Sequence, residues 1–313
     1  MIPITRNEVH RDLFYAEVST LLKSAIQKVL DDGGILKNSP RRLIPFSNQL
    51  EDYLTQINDY AEIKNIIIAN PEDLQYQINA HFISLPQLFN RRSNDYEIAY
   101  KIFIKQSYEK IDKLNFVNEI GLSTCPYCNR NYTFSLDRNK KIKPEIDHFY
   151  PKSIHPLLAV SYFNLIPSCQ TCNGVGVKGN TSPYFVGLKS PYLISNSDFK
   201  FSYRFKPNEV FKSLYDNDSI DVFFEKKIQP NSDLFRLEDL YKKHNDHVAE
   251  LIVKSRVKYS KKYREYLKSY KELKLTDDEI NRMILGNYSN KKDLHKRPLA
   301  KIYQDIGEEL GLI

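Results

Sequence analysis

Tryptophan is absent from the 313 residues, so aromatic packing falls to 22 tyrosines and 17 phenylalanines. No apolar run approaches the ~18 residues that a membrane span needs. The start, Met1-Ile2-Pro3-Ile4 followed by Arg6 and Glu8, lacks the apolar h-region of a secretory signal. Together these absences exclude a membrane partner and lead us to expect a cytoplasmic protein. Repeats and low-complexity tracts are also missing. The excess of one charge sign is small, 46 Lys and Arg against 39 Asp and Glu, a net +7. That lean suits a protein that meets phosphates, yet many soluble enzymes share it. Hydrophobic residues at 41% and charged residues at 27% are ordinary for a soluble protein. The length allows one large domain or two to three smaller units.

Periodicity predicts helices over much of the chain. From Val9 to Leu30, apolar residues such as Phe14, Val18, Leu22 and Ile26 recur every three or four positions, giving a helix with one buried face. Asp32-Gly33-Gly34 stops it. Pro40-Arg41-Arg42 opens a looser segment, and Phe46 to Ala61 reads as another helix. Asn70-Pro71-Glu72-Asp73 is the start of one reaching about Asn79, and Asp95 to Lys113 is expected to be helical too. Phe199 to Phe205 and Ser219 to Lys226 alternate with period two and are expected to pair as a small sheet. Leu237 to Leu273 reads as a long helix or a helix pair. Thr276-Asp277-Asp278-Glu279 is a capping box opening a helix that Gly286 ends, and Pro298 starts a last helix to about Leu310.

Cysteine is scarce, and its placement is informative. All four cysteines form two CxxC pairs, Cys125 with Cys128 and Cys169 with Cys172. Zinc prefers four tetrahedral ligands, and a CxxC turn supplies two thiolates at the right separation. A redox CxxC needs only one motif and a βαβ setting, and neither fits. The expected site is a structural zinc held by Cys125, Cys128, Cys169 and Cys172, with no open position for catalysis. Between the pairs, Glu145 to Phe149 alternates like a short strand and carries Asp147-His148. A carboxylate beside an imidazole suits metal-assisted hydrolysis. Asp147 can ligate a hard cation such as Mg²⁺ or Mn²⁺, and His148 can take a proton from water near neutral pH.

In order, Cys125-Pro126-Tyr127-Cys128, Asp147-His148, Asn164, Cys169-Gln170-Thr171-Cys172 and Asn173 resemble the HNH endonuclease superfamily, whose core is a ββα-metal fold. The resemblance covers about 60 residues. It implies His148 as general base and Asp147 as a ligand of the catalytic ion. It implies Asn164 as the residue that fixes the loop and the orientation of His148, and Asn173 as the second ligand of that ion. Family members usually carry a lysine three residues after this asparagine. Here Lys178 comes two positions later, behind Gly174 and Gly176, so the following helix is expected to be displaced. The run His148-Phe149-Tyr150-Pro151-Lys152-Ser153 resembles the HNH nucleases of Septu-type and retron-associated anti-phage systems, where an ATPase partner works beside the nuclease. Lys152 is the candidate for a phosphate contact. Lys140, Lys141 and Lys143 form either a phosphate-contacting patch or a solvated hairpin tip. His155 could approach the active site. His244 and His247 could make part of a second metal site but read better as surface histidines.

These readings combine into an α+β, mostly α chain. Residues 1–115 would be an N-terminal helical region, 116–190 a ββα-metal HNH core with its Cys₄ zinc, and 191–313 small strands followed by a C-terminal helical region. The expected function is metal-dependent cleavage of phosphodiester bonds in nucleic acid, DNA first and RNA or tRNA as the alternative, as the nuclease of an anti-phage system. The rival is a zinc-knuckle module that binds nucleic acid or protein without cutting it.

Overall fold

Helix α1, Glu8–Asp31, follows from the spacing above: Phe14, Val18, Leu22, Ile26 and Val29 are buried on one face. Asn7 caps it by accepting the His10 N–H, an arrangement worth about 1 kcal/mol. In the computed structural model the described residues are 1–38, 41–136, 142–206, 217–257, 261–270 and 272–313. They divide into two compact units, one of Thr5–Gly121 with Ser135–Leu193, the other of Met1–Ile4, Leu122–Phe134 and Ile194–Ile313.

The first unit opens with α1. The segment after it is more regular than expected, because β1, Ile35–Asn38, and β2, Arg41–Ile44, pair antiparallel. Three of the four β2 residues are exposed, so no alternation marks the strand in the sequence. Gly34 enters the hairpin at φ +142, where a Cβ would lie 2.1 Å from the Ile44 carbonyl oxygen; only glycine fits there. The expected helix from Phe46 to Ala61 is two helices, α2 (Asn48–Ile57) and α3 (Tyr60–Ile67), because Asn58 and Asp59 interrupt it and Asp59 caps the second. Helix α4 covers Leu74–Ser84.

The helix expected from Asp95 to Lys113 also changes along its length. An α-helical start, α5 (Asn94–Ala99), widens into a π-helix over Tyr100–Ser107 and tightens to a 3₁₀ turn, Tyr108–Lys110. Ile102, Phe103 and Ile104 are all fully buried, a run that a regular helix with one buried face cannot accommodate. Ser107 Oγ donates to the Ile102 carbonyl at 2.8 Å, offering a side-chain donor to the widened turn. Asp112 caps α6, Lys113–Ile120, and Gly121 ends it in the left-handed region.

Strands β3, Glu145–His148, and β4, Leu165–Ser168, form an antiparallel pair that opposes Asp147 to Ile166 and His148 to Leu165. Two 3₁₀ turns, Pro156–Val160 and Tyr162–Asn164, fill the connection, and every residue from 155 to 168 is buried. A one-turn helix, α7 (Gln170–Asn173), follows, and α8 is Pro183–Val186.

In the second unit, β5 (Lys200–Phe205) pairs antiparallel with β6 (Ile220–Lys226), as the alternation predicts. The helices are α9 (Gln229–Leu234), α10 (Leu237–Tyr241), α11 (Asn245–Val257), α12 (Lys261–Lys268), α13 (Asp277–Leu285) and α14 (Ala300–Glu309). The capping box of Thr276 with Glu279 opens α13. The loop Leu122–Phe134 is tied into this unit by Asn129, which sits at φ +50. Its amide donates to Thr124 Oγ1 at 2.9 Å and the Leu294 carbonyl at 3.0 Å, and accepts the Lys301 N–H at 3.0 Å. The Tyr127 ring stacks on Phe235 at 4.4 Å, and the Tyr241 hydroxyl donates to the Cys128 carbonyl at 2.7 Å. Among the described residues no helix is long and apolar enough to cross a membrane.

Candidate functional site

Four residues in a row, Asp147 to Tyr150, are buried at the end of β3. Strand alternation would have sent every second side chain to solvent, but the 3₁₀ connection covers one side and the 100–110 segment carries the other. His148 is 6% exposed. Its Nε2 lies 3.1 Å from the Ala159 carbonyl oxygen, and the Tyr108 ring meets its edge at 4.4 Å. A carbonyl can only accept, so Nε2 carries the proton and the neutral ring keeps its lone pair on Nδ1. Burial first, then the positive charge of Lys152, lowers the His148 pKa well below its usual value, with Lys178 and Lys113 adding to it. The imidazole is therefore neutral at neutral pH.

Asn164 is fully buried, and each of its polar atoms is used. Oδ1 accepts the Tyr150 N–H at 2.7 Å, and Nδ2 donates to the carbonyls of Tyr150 at 3.1 Å and Leu158 at 2.8 Å. It therefore joins the chain just after His148 to the turn that carries Ala159. Asn173, on α7, is partly exposed, and its Nδ2 donates to Glu145 at 2.8 Å.

Asp147 has a partner that the sequence reading left unassigned. Lys178 Nζ lies 3.0 Å from Asp147 Oδ1 and donates to the His148 carbonyl at 2.9 Å, with both side chains out of solvent. The glycines make this reach possible. Helix α7 stops at Asn173, and the chain turns through Gly174 to Gly179 instead of continuing as a helix, so the extra two residues fold back onto β3. Gly179 is at φ +44, with the Val175 Cα 3.1 Å from where a Cβ would stand.

Asp147, His148, Lys152 and Asn173 line one open cleft of about 250 Å³, together with Ile146, Pro151, Val175, Gly179 and Asn180. His155 lies elsewhere, beside a smaller cavity with His81 and Phe89, its Nε2 2.9 Å from Ser182 Oγ. His244, Asp246 and His247 come together, but Arg130 Nε donates to His244 Nε2 at 2.9 Å and Tyr303 engages His247 Nδ1 at 2.6 Å. That hydrogen bond occupies the His244 Nε2 lone pair. Lys143 is exposed, while Lys140 and Lys141 lie outside the described residues.

The four cysteines are buried, none is in a disulfide, and their sulfurs lie within 4.8 Å of one another. Tetrahedral zinc with bonds near 2.3 Å needs sulfurs about 3.8 Å apart, so this donor set fits a metal such as zinc.

Tyr108 and Lys113 were missed by the sequence reading. They stand 35 to 40 positions before His148, Tyr108 in the 3₁₀ turn that follows the π-helix and Lys113 at the start of α6, where no periodicity marks them.

Over 56 residues the chain is 41% identical to the Septu protein PtuB of Bacillus thuringiensis. The match covers 18% of this chain and 20% of that protein, so it spans about a fifth of the curated relative's length. No protein-family model and no solved structure matches the chain.

Proposed function

We propose that the chain is a metal-dependent endonuclease of the HNH type, cleaving phosphodiester bonds in nucleic acid as part of an anti-phage defence system. The observation that carries this reading is the 3.1 Å contact of His148 Nε2 with the Ala159 carbonyl oxygen. Its donation to Ala159 leaves Nδ1 as a lone-pair base, in a neutral ring, beside Asp147 and Asn173 in one open cleft. The partial similarity to a Septu protein supports the defence role, and the resemblance of the His148 to Ser153 run to Septu-type nucleases implies an ATPase partner.

In this mechanism His148 Nδ1 accepts the proton of the attacking water. Asn164 holds the ring's hydrogen-bonding partner in place by tying the Leu158 carbonyl to the strand end. Asp147 and Asn173 would hold a divalent ion such as Mg²⁺ or Mn²⁺, which supplies charge stabilisation for the phosphate and the departing oxygen when bound. Zinc at the four cysteines would be structural.

The test is incubation of wild type and His148→Ala with plasmid, single-stranded DNA and total tRNA in Mg²⁺ or Mn²⁺. Loss of the base is expected to slow cleavage by about 10²–10⁴-fold, with binding retained. Equal rates in the two proteins would remove His148 from the mechanism. The Lys178 ammonium on Asp147 favours a second reading, a zinc-bearing module that binds nucleic acid without cutting it, because the carboxylate is already paired. Tight binding with no turnover in any divalent ion would decide for that reading.

A further inference from the structure

One aromatic ring gathers the positive charge of this region. Lys113 Nζ lies 4.8 Å and Lys152 Nζ 4.6 Å from the centre of the Tyr108 ring, whose edge contact with His148 is described above. Tyr108 is 5% exposed, so the ring is a fixed platform. Lys113 donates to the Glu109 backbone carbonyl at 3.0 Å, and the Glu109 carboxylate pairs with Lys105. Among the described residues neither Lys113 nor Lys152 pairs with a carboxylate. Two partly buried ammonium groups thus share one ring, an arrangement that costs repulsion and desolvation unless an anion joins them.

We propose that Lys113 and Lys152, seated on Tyr108, form a binding subsite for the phosphate next to the one cleaved, so that the substrate is a polynucleotide strand and not a mononucleotide. Lys152 lines the cleft beside His148, whereas Lys113 lies outside that lining. The pair therefore leads away from the cleft, and a strand whose reacting phosphate faces His148 presents the neighbouring phosphate to Lys113. Burial lowers the pKa of both lysines; Lys143 and Lys152 lower Lys113 further and Lys105 lowers Lys152, while Glu109 raises both and Asp112 raises Lys113. A bound phosphate would relieve that repulsion. Tyr108 is a positioning residue here, holding both lysines and touching His148. The inference rests on the nuclease reading for its direction, though not for the binding itself.

The test uses the full chain carrying His148→Ala, so that nucleic acid is not consumed. Binding of a labelled single-stranded DNA 16-mer and of a duplex is followed by anisotropy over a salt series. Lys113→Gln and Lys152→Gln are each expected to weaken binding about 5- to 20-fold. Each should also reduce the salt slope by about 0.7 on the single strand, one phosphate's worth. Lys64→Gln, an exposed lysine on α3, should change neither. Binding of Lys113→Gln with the parent's affinity and slope would overturn the subsite. With His148 restored, Lys113→Gln should raise KM and leave kcat in place. Cleavage at the parent's KM would sink the subsite while the nuclease reading survives. Lysine-dependent binding without cleavage in any metal would sink the nuclease reading while the subsite survives. Absence of binding to either strand would overturn both.

Discussion

Lys178 and Asp147 form an ion pair whose side chains are both out of solvent. A buried carboxylate without a partner costs several kcal/mol, and a buried ammonium the same. Replacing Lys178 with Met removes the ammonium that faces Asp147, a carboxylate only 3% exposed. The expected loss is about 3–5 kcal/mol in denaturant unfolding. Adding Asp147→Asn removes the opposing charge as well, and the double variant should recover much of the loss. If Lys178→Met unfolds at the parent's midpoint, the pair contributes nothing and the argument fails. Asp147-His148 was legible in the sequence as adjacent chemistry. The lysine opposite was not, because its reach depends on the turn Gly174–Gly179 and on no helical spacing.

Elements were legible in proportion to how plainly one face is buried. Helix α1, the β5 and β6 pair and the capping box of α13 each present one regular period or one local hydrogen-bond device, and the sequence shows them. The π-helix after α5 and the β1–β2 hairpin do not. One buries successive residues and the other buries almost none. Helix α4 brings a testable consequence, through His81 beside the buried His155. Burial lowers both imidazoles to about 4, and the charge of His81 adds to the shift of His155. The unfolded chain titrates near 6.5. Above that pH both states are neutral and stability is flat. As pH falls from 6.5 toward 4, only the unfolded chain takes the protons, so stability drops. At pH 5 the loss is up to roughly 2 kcal/mol from His155, and less from the partly exposed His81. Urea unfolding at pH 7 and pH 5 should show a smaller drop in a His81→Gln, His155→Gln protein than in the parent. An identical drop in both proteins would mean these rings do not set the acid sensitivity.

For the whole molecule, the measurable quantity is metal content. Four buried thiols within 4.8 Å of one another are expected to hold one zinc per chain. Apparent binding energies for such sites run to about 10–16 kcal/mol in small domains. Elemental analysis should find that stoichiometry in the parent and near none in Cys128→Ser, together with a lower thermal midpoint. Zinc at the parent level in Cys128→Ser would mean that the metal sits elsewhere. The CxxC pairs announced this group from the sequence, because ligand spacing is local chemistry. The division into units was less visible, because it depends on which distant segments share a core.

The Asn129 tie places a clock in the chain's synthesis. The side chain of Asn129 donates to a carbonyl 165 residues further on, at Leu294. At about 5–20 residues per second, a ribosome needs roughly 8–33 s to supply that partner. For that interval the Cys125–Cys128 loop lacks the Leu294 carbonyl to which Asn129 donates. Its thiols are open to oxidation or to the wrong metal until Cys169 and Cys172 follow. A cell that makes this protein must keep the nascent loop reduced until that second pair arrives, and the backbone tie comes later.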